Sequence, residues 1–180
     1  MTLETLLPHL LLYIVLPLWL VAGLGDYLCH RHTRIELTSG ARESWLHLLE
    51  YLELAVPLLA GLYLHINALV LTLMFAFVIA HSATAVWDTS YTAPRRDITV
   101  AEQHVHGWLE VLPWSALAIV VALHWNELSA GDWSLRWREE PLASSHTLPV
   151  LAGLALALMA IADELRRTLR AARRSAPRLA

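Results

Sequence analysis

Apolar residues fall into five long runs along this chain, and acidic and histidine residues gather at one end of each of the first four. The runs occupy residues 6–28, 45–64, 68–87, 105–125 and 147–164. A bilayer core takes about 20 apolar residues of helix, so each run predicts a transmembrane span. Pro8 and Pro17 predict distortions in the first span. His65, Ile66 and Asn67 leave room only for a tight turn between the second and third. Residues 126–146 are polar and predict a surface segment. Trp45, Trp87, Trp108 and Trp125 fall near the expected span ends, where indole rings favour the membrane interface. The expected fold class is an all-α integral membrane protein. A bundle of five transmembrane helices in residues 1–165 precedes a basic tail, residues 166–180.

Composition supports this. The chain has 180 residues, 57% hydrophobic and only 16% charged, with a mean hydropathy of +0.48. Soluble domains are nearer about a quarter charged. A net charge of −3 argues against a nucleic-acid partner. Cys29 is the one cysteine, so an intrachain disulfide and a CxxC motif are both excluded. The chain opens with MTLE, an acid where a signal peptide carries basic residues, and no small-residue cleavage motif precedes Asp26. The first run is therefore expected to be a retained span.

Arginines set the orientation. Arg31, Arg34 and Arg42 lie between spans one and two, Arg95 and Arg96 between three and four. Arg166, Arg167, Arg170, Arg173 and Arg174 follow span five. Five spans put all three groups on one side, which the positive-inside rule makes cytoplasmic. The N-terminus is then external, the C-terminus is cytoplasmic, and the expected location is a bacterial inner membrane. The tail can also be read as an amphipathic helix on lipid, or simply as a topology determinant touching anionic headgroups.

The ionisable clusters all fall at the cytoplasmic ends of their spans. Asp26 and His30 are four residues apart on span one, and Glu43, His47 and Glu50 share a face on span two. His81, Thr84 and Asp88 do so on span three, and Glu102, His106 and Glu110 on span four. One charge at a helix centre costs about 3 kcal/mol on insertion scales, so ten such groups at one depth must be neutralised together. Divalent cations do this, because they offset carboxylates and accept neutral imidazole. A mixed carboxylate and histidine set favours iron, manganese or zinc, and helical bundles hold paired iron or manganese ions in this way. Two ions match the number of ligands, with a third open. His32, Glu36, Glu53 and His104 are additional or supporting groups, although His104 faces away from the Glu102/His106 stripe. Tyr91, Arg95 and Arg96 flank the expected mouth and could grip a substrate headgroup, or could merely follow the positive-inside rule. The competing reading of all four stripes is a solvated, salt-bridged surface, and isolated His9, His65 and His124 read as interfacial or packed.

GDYLCHRH and EQHVHG resemble the histidine boxes of integral-membrane di-iron fatty-acid desaturases and hydroxylases. That resemblance implies a cytosolic-face centre of two irons that activates O₂ and oxidises a lipid-like substrate arriving from the bilayer. It spans residues 26–110. Those boxes are HxxxH and HxxHH, whereas one residue separates His30 from His32 and His104 from His106 here, and carboxylates are more numerous. No flavin or nicotinamide fingerprint is present, so electrons are expected from an external donor. Two alternatives remain open: a membrane zinc hydrolase acting on a lipid amide or ester, and a non-enzymatic metal carrier or store. Paired-histidine haem binding fits poorly among so many acids.

Overall fold

The computed structural model describes residues 2–175, and helix accounts for all regular structure there except one isolated bridge. Five of its helices are long and apolar enough to cross a membrane. The first span joins α1 (Leu3–Leu10), a π-helical turn (Leu11–Val15) and α2 (Leu16–Thr33) into 31 continuous residues. Pro17 has no N–H to give the Tyr13 carbonyl, and the π turn just before it absorbs that loss. The distortion expected at Pro17 is therefore present. Next come α3 (Ala41–Tyr63), α4 (Ala68–Thr92) and α5 (Val100–Leu123). A short α6 (Trp125–Ala130) precedes α7 (Ser144–Ser175).

Span five runs well past the expected end at residue 164. Hydropathy falls there, but the following residues are mostly Arg, Leu and Ala, which are strong helix formers, so the helix continues to Ser175. The first ten residues of the expected tail are thus helical; residues 176–180 lie outside the described residues.

The helices close into a ring. α3 packs on α4 and α7, α2 packs on α5 and α7, and α4 meets α5. The order around the ring is α2, α7, α3, α4, α5. One end is apolar: Leu54, Val70, Leu71, Met74, Val78 and Leu117 form its core. There Asn67 caps α4 by accepting from the Val70 N–H at 3.2 Å, and its amide donates to the Ser134 carbonyl at 2.7 Å. Backbone bonds from His65 to Arg136 (3.0 Å) and from Arg138 to Tyr63 (2.9 Å) lay the α6–α7 loop over this end. The opposite end carries the arginines between spans one and two and between three and four, together with the ionisable stripes of the first four spans. It holds the start of α3, which follows a tight connection through Gly40 at φ 73°, and the start of α5, where Thr99 Oγ1 accepts the Glu102 N–H at 3.2 Å. Thr99 is thus the N-cap of α5.

Candidate metal centre

The ring brings the stripes of four spans to one point. Asp26 and His30 of α2 face Glu102 and His106 of α5, with one ligand-type atom from each within 4.8 Å of the others. His30 also joins Glu43 and His47 of α3 in a second group of the same tightness. Asp88 of α4 approaches His47 Nε2 at 3.6 Å. The centre of these groups is deeply buried, with Glu43 and Glu102 0% exposed and His30 1% exposed, while Asp26 and His106 are partly buried.

A residue outside the sequence expectation organises them. Glu164 of α7 lies between the two central histidines, accepting from His30 Nδ1 at 2.9 Å and from His47 Nδ1 at 2.7 Å. A carboxylate only accepts, so both imidazoles carry a proton on Nδ1, and in the neutral form each turns an acceptor Nε2 toward the cluster. The two rings stack, with centroids 4.5 Å apart and planes 6° apart. Neither Nε2 has a hydrogen-bond partner among the described residues, and neither does Asp88 Oδ1. The Thr168 hydroxyl donates to Ser44 Oγ at 3.2 Å one turn further on, fixing α7 against α3 at this level.

Distances around the bare nitrogens are informative. His30 Nε2 lies 3.4 Å from Asp26 Oδ1 and 3.3 Å from Glu102 Oε1. Glu43 Oε1 lies 3.9 Å from both His30 Nε2 and His47 Nε2. His106 Nε2 reaches Asp26 Oδ1 at 2.9 Å. Two ligands on one first-row ion, each at about 2.1 Å, sit about 3.0–3.4 Å apart. The spacings of His30 Nε2 from Asp26 and Glu102 match such an edge, whereas Glu43 and Asp88 stand farther from the histidine nitrogens.

Arg96 closes the arginine-rich side. Its guanidinium donates to Glu43 Oε1 at 2.6 Å and to Glu102 Oε2 at 3.0 Å, and it also bonds Glu102 Oε1. Burial opposes its charge, but the hydrogen bonds it donates to Glu102 and Glu43 outweigh that and hold the guanidinium above its ordinary range. The Ser39 hydroxyl bonds Glu43 on the same side, and Tyr91 donates to the Ser39 carbonyl at 3.0 Å. The expected headgroup trio is therefore split. Arg96 is buried in the cluster and Tyr91 braces it; Arg95 is exposed and stacks 3.8 Å over the Tyr91 ring.

Other expectations resolve by helix geometry. His32 lies about 200° around the helix from His30 and is exposed, as His104 is relative to Glu102. His104 bonds the Val100 carbonyl on its own helix at 2.8 Å. Steps of four residues each advance about 40°, so Glu110 has turned about 80° from Glu102 and is also exposed. Glu36, on the 3₁₀ turn Ile35–Leu37, pairs with Arg167 at 2.8 Å, away from the cluster. Glu53 accepts from the Thr84 hydroxyl at 2.9 Å, one layer deeper.

Two cavities adjoin the cluster. One, of about 230 Å³, lies between α4 and α5 and is lined by Asp26, His47, Glu50, His81, Asp88 and His106, with Glu110 beside them. The other, of about 100 Å³, runs between α2, α3 and α7. Its walls are mostly apolar, including Trp19, Leu24, Leu54, Leu156 and Ile161, and it ends at His47, Glu50 and Glu164. Comparisons with protein-family models, curated proteins and solved structures give no match for this chain.

Proposed function

We propose that this chain is a membrane-embedded oxidoreductase whose arginine-rich, cytosol-facing end holds two iron ions and uses O₂ to oxidise a lipid-like substrate. The observation that carries the metal centre is Glu164, which bonds two imidazoles through Nδ1 and leaves two Nε2 atoms without hydrogen-bond partners among carboxylates. A carboxylate behind a metal-binding histidine sets its tautomer and raises its basicity. Charge supports the same reading. Asp26, Glu43, Asp88, Glu102 and Glu164 are five carboxylates facing the single guanidinium of Arg96. Two divalent cations bring that set to neutrality, which a buried cluster in lipid requires.

One ion would take Asp26, His30, Glu102 and His106; the other would take His47 and Asp88, with Glu43 between them. Bound iron supplies the one-electron chemistry that O₂ requires, and manganese is the nearest substitute. The protein orients the ligands through Glu164 and Arg96. The apolar cavity holds a hydrocarbon segment against His47 and Glu50 and keeps water from it. Inserting oxygen into a C–H bond consumes O₂, two electrons and two protons and releases water, so an external electron donor completes the reaction.

The test is to supply iron-loaded protein in lipid nanodiscs with a chemical reductant and O₂, then to analyse the lipids by mass spectrometry. Products heavier by one oxygen or lighter by two hydrogens, absent with His47→Ala, are expected. A protein that holds zinc and releases fatty acid instead would identify the hydrolase. Metal bound with no lipid change would leave a metal store.

A further inference from the structure

The dinuclear reading uses neither Glu50, His81 nor Glu110, yet all three line the cavity between α4 and α5. His81 is 4% exposed and Asp88 is 3% exposed, and His81 Nδ1, Glu50 Oε1 and Asp88 Oδ1 have no hydrogen-bond partner among the described residues. Exposed Thr89, Ser90 and Glu110 form the rim. At about 230 Å³ the space admits a cation with several waters. Asp88 spans both regions, with Oδ2 facing His47 Nε2 at 3.6 Å and Oδ1 unpartnered.

From this cavity and its unpartnered atoms we propose that the α4–α5 opening is the loading route for divalent cations, running from Glu110 past His81 and Glu50 to Asp88. The proposal rests on the metal-centre reading. It separates traffic: ions pass the polar opening between α4 and α5, and the apolar cavity on the α2–α7 side is left to hydrocarbon. Arg96 blocks the more direct approach from the arginine-rich end, because its guanidinium already covers Glu43 and Glu102.

Loading kinetics test this. Full-length protein stripped with chelator and held in nanodiscs is mixed rapidly with Mn²⁺, and bound metal is followed over time. Glu110→Gln is expected to load roughly tenfold more slowly, the low end for a charged cleft that concentrates ions. It should still reach the wild-type number of ions, and its rate should lose most of the wild-type dependence on ionic strength. His81→Ala is expected to slow loading in the same manner. Glu127→Gln, an acid on the opposite end of the bundle, should load at the wild-type rate. An unchanged rate in Glu110→Gln overturns the route. A lower final ion count in that variant overturns it as well, because Glu110 would then be a ligand of the centre. Wild-type protein that takes up no Mn²⁺, Fe²⁺ or Zn²⁺ at all refutes the metal centre itself, a result distinct from either of these.

Discussion

The two ends of this bundle use the same five helices and opposite chemistry. At the apolar end, Val70, Leu71 and Met74 of α4 interlock with Leu54 of α3 and Leu117 of α5, and stability comes from contacts made without charge. At the arginine-rich end, the corresponding interior positions hold Glu43, His47, Asp88, Glu102 and Glu164. The first end needs only shape. The second gathers buried carboxylates that Arg96 alone does not balance. The two cations proposed above would offset that charge.

This contrast can be broken at each end separately. The largest expected effect is removal of metal by chelation. At free metal about a thousandfold above Kd, binding adds about 4 kcal/mol of stability, so stripped protein should unfold at a markedly lower temperature. Hydrogen exchange should rise at the arginine-rich ends of α2, α3 and α5 and stay unchanged around Leu71. Equal Tm with and without chelator would deny the metal any structural part.

Leu71→Ala should cost about 2 kcal/mol, the low end of the range for soluble cores. Lipid is as apolar as leucine, so only packing is lost and no transfer term adds to it. Unfolding in mild denaturing detergent measures this, and metal content should not change. Loss of metal in that variant would mean the two ends are coupled.

Glu164→Gln is a subtler break at the polar end. Gln keeps one acceptor and turns the other into a donor, so one of the two imidazoles loses its fixed tautomer. Changes behind a metal ligand typically cost about 10–100-fold in affinity, and competitive chelator titration should find a loss of that size. The smallest effect is at the apolar end, where Asn67→Ala removes the cap of α4 and should cost about 1 kcal/mol with metal affinity unaltered.

How far the site could be read from sequence follows from the same geometry. Asp26/His30 and Glu102/His106 are i, i+4 pairs, legible on their own helices, and the fold sets these two pairs against each other. Glu43 and His47 were legible in the same way. Glu164 was not. It bonds histidines 134 and 117 residues upstream, and in sequence it marks only the end of an apolar run. A usable signal was present all the same: an acid at the arginine-rich end of the fifth span, matching those of the other four. Arg96 was legible only as a residue at the mouth, for a headgroup or for membrane orientation, because its bonds to Glu43 and Glu102 depend on how α3 and α5 meet. The span count depended on hydropathy and was readable, whereas the extension of α7 to Ser175 depended on helix propensity, which hydropathy does not register.

Metal content per chain tests the central claim most directly. Protein purified without chelators should carry about two ions of iron or manganese. His47→Ala and His106→Ala, which strike opposite sides of the shared Glu43, should each lose at least one while remaining folded. A well-folded wild-type protein with no bound metal would contradict the claim, and the cluster would then be a buried salt-bridge network tied together by Arg96 and protonated histidines.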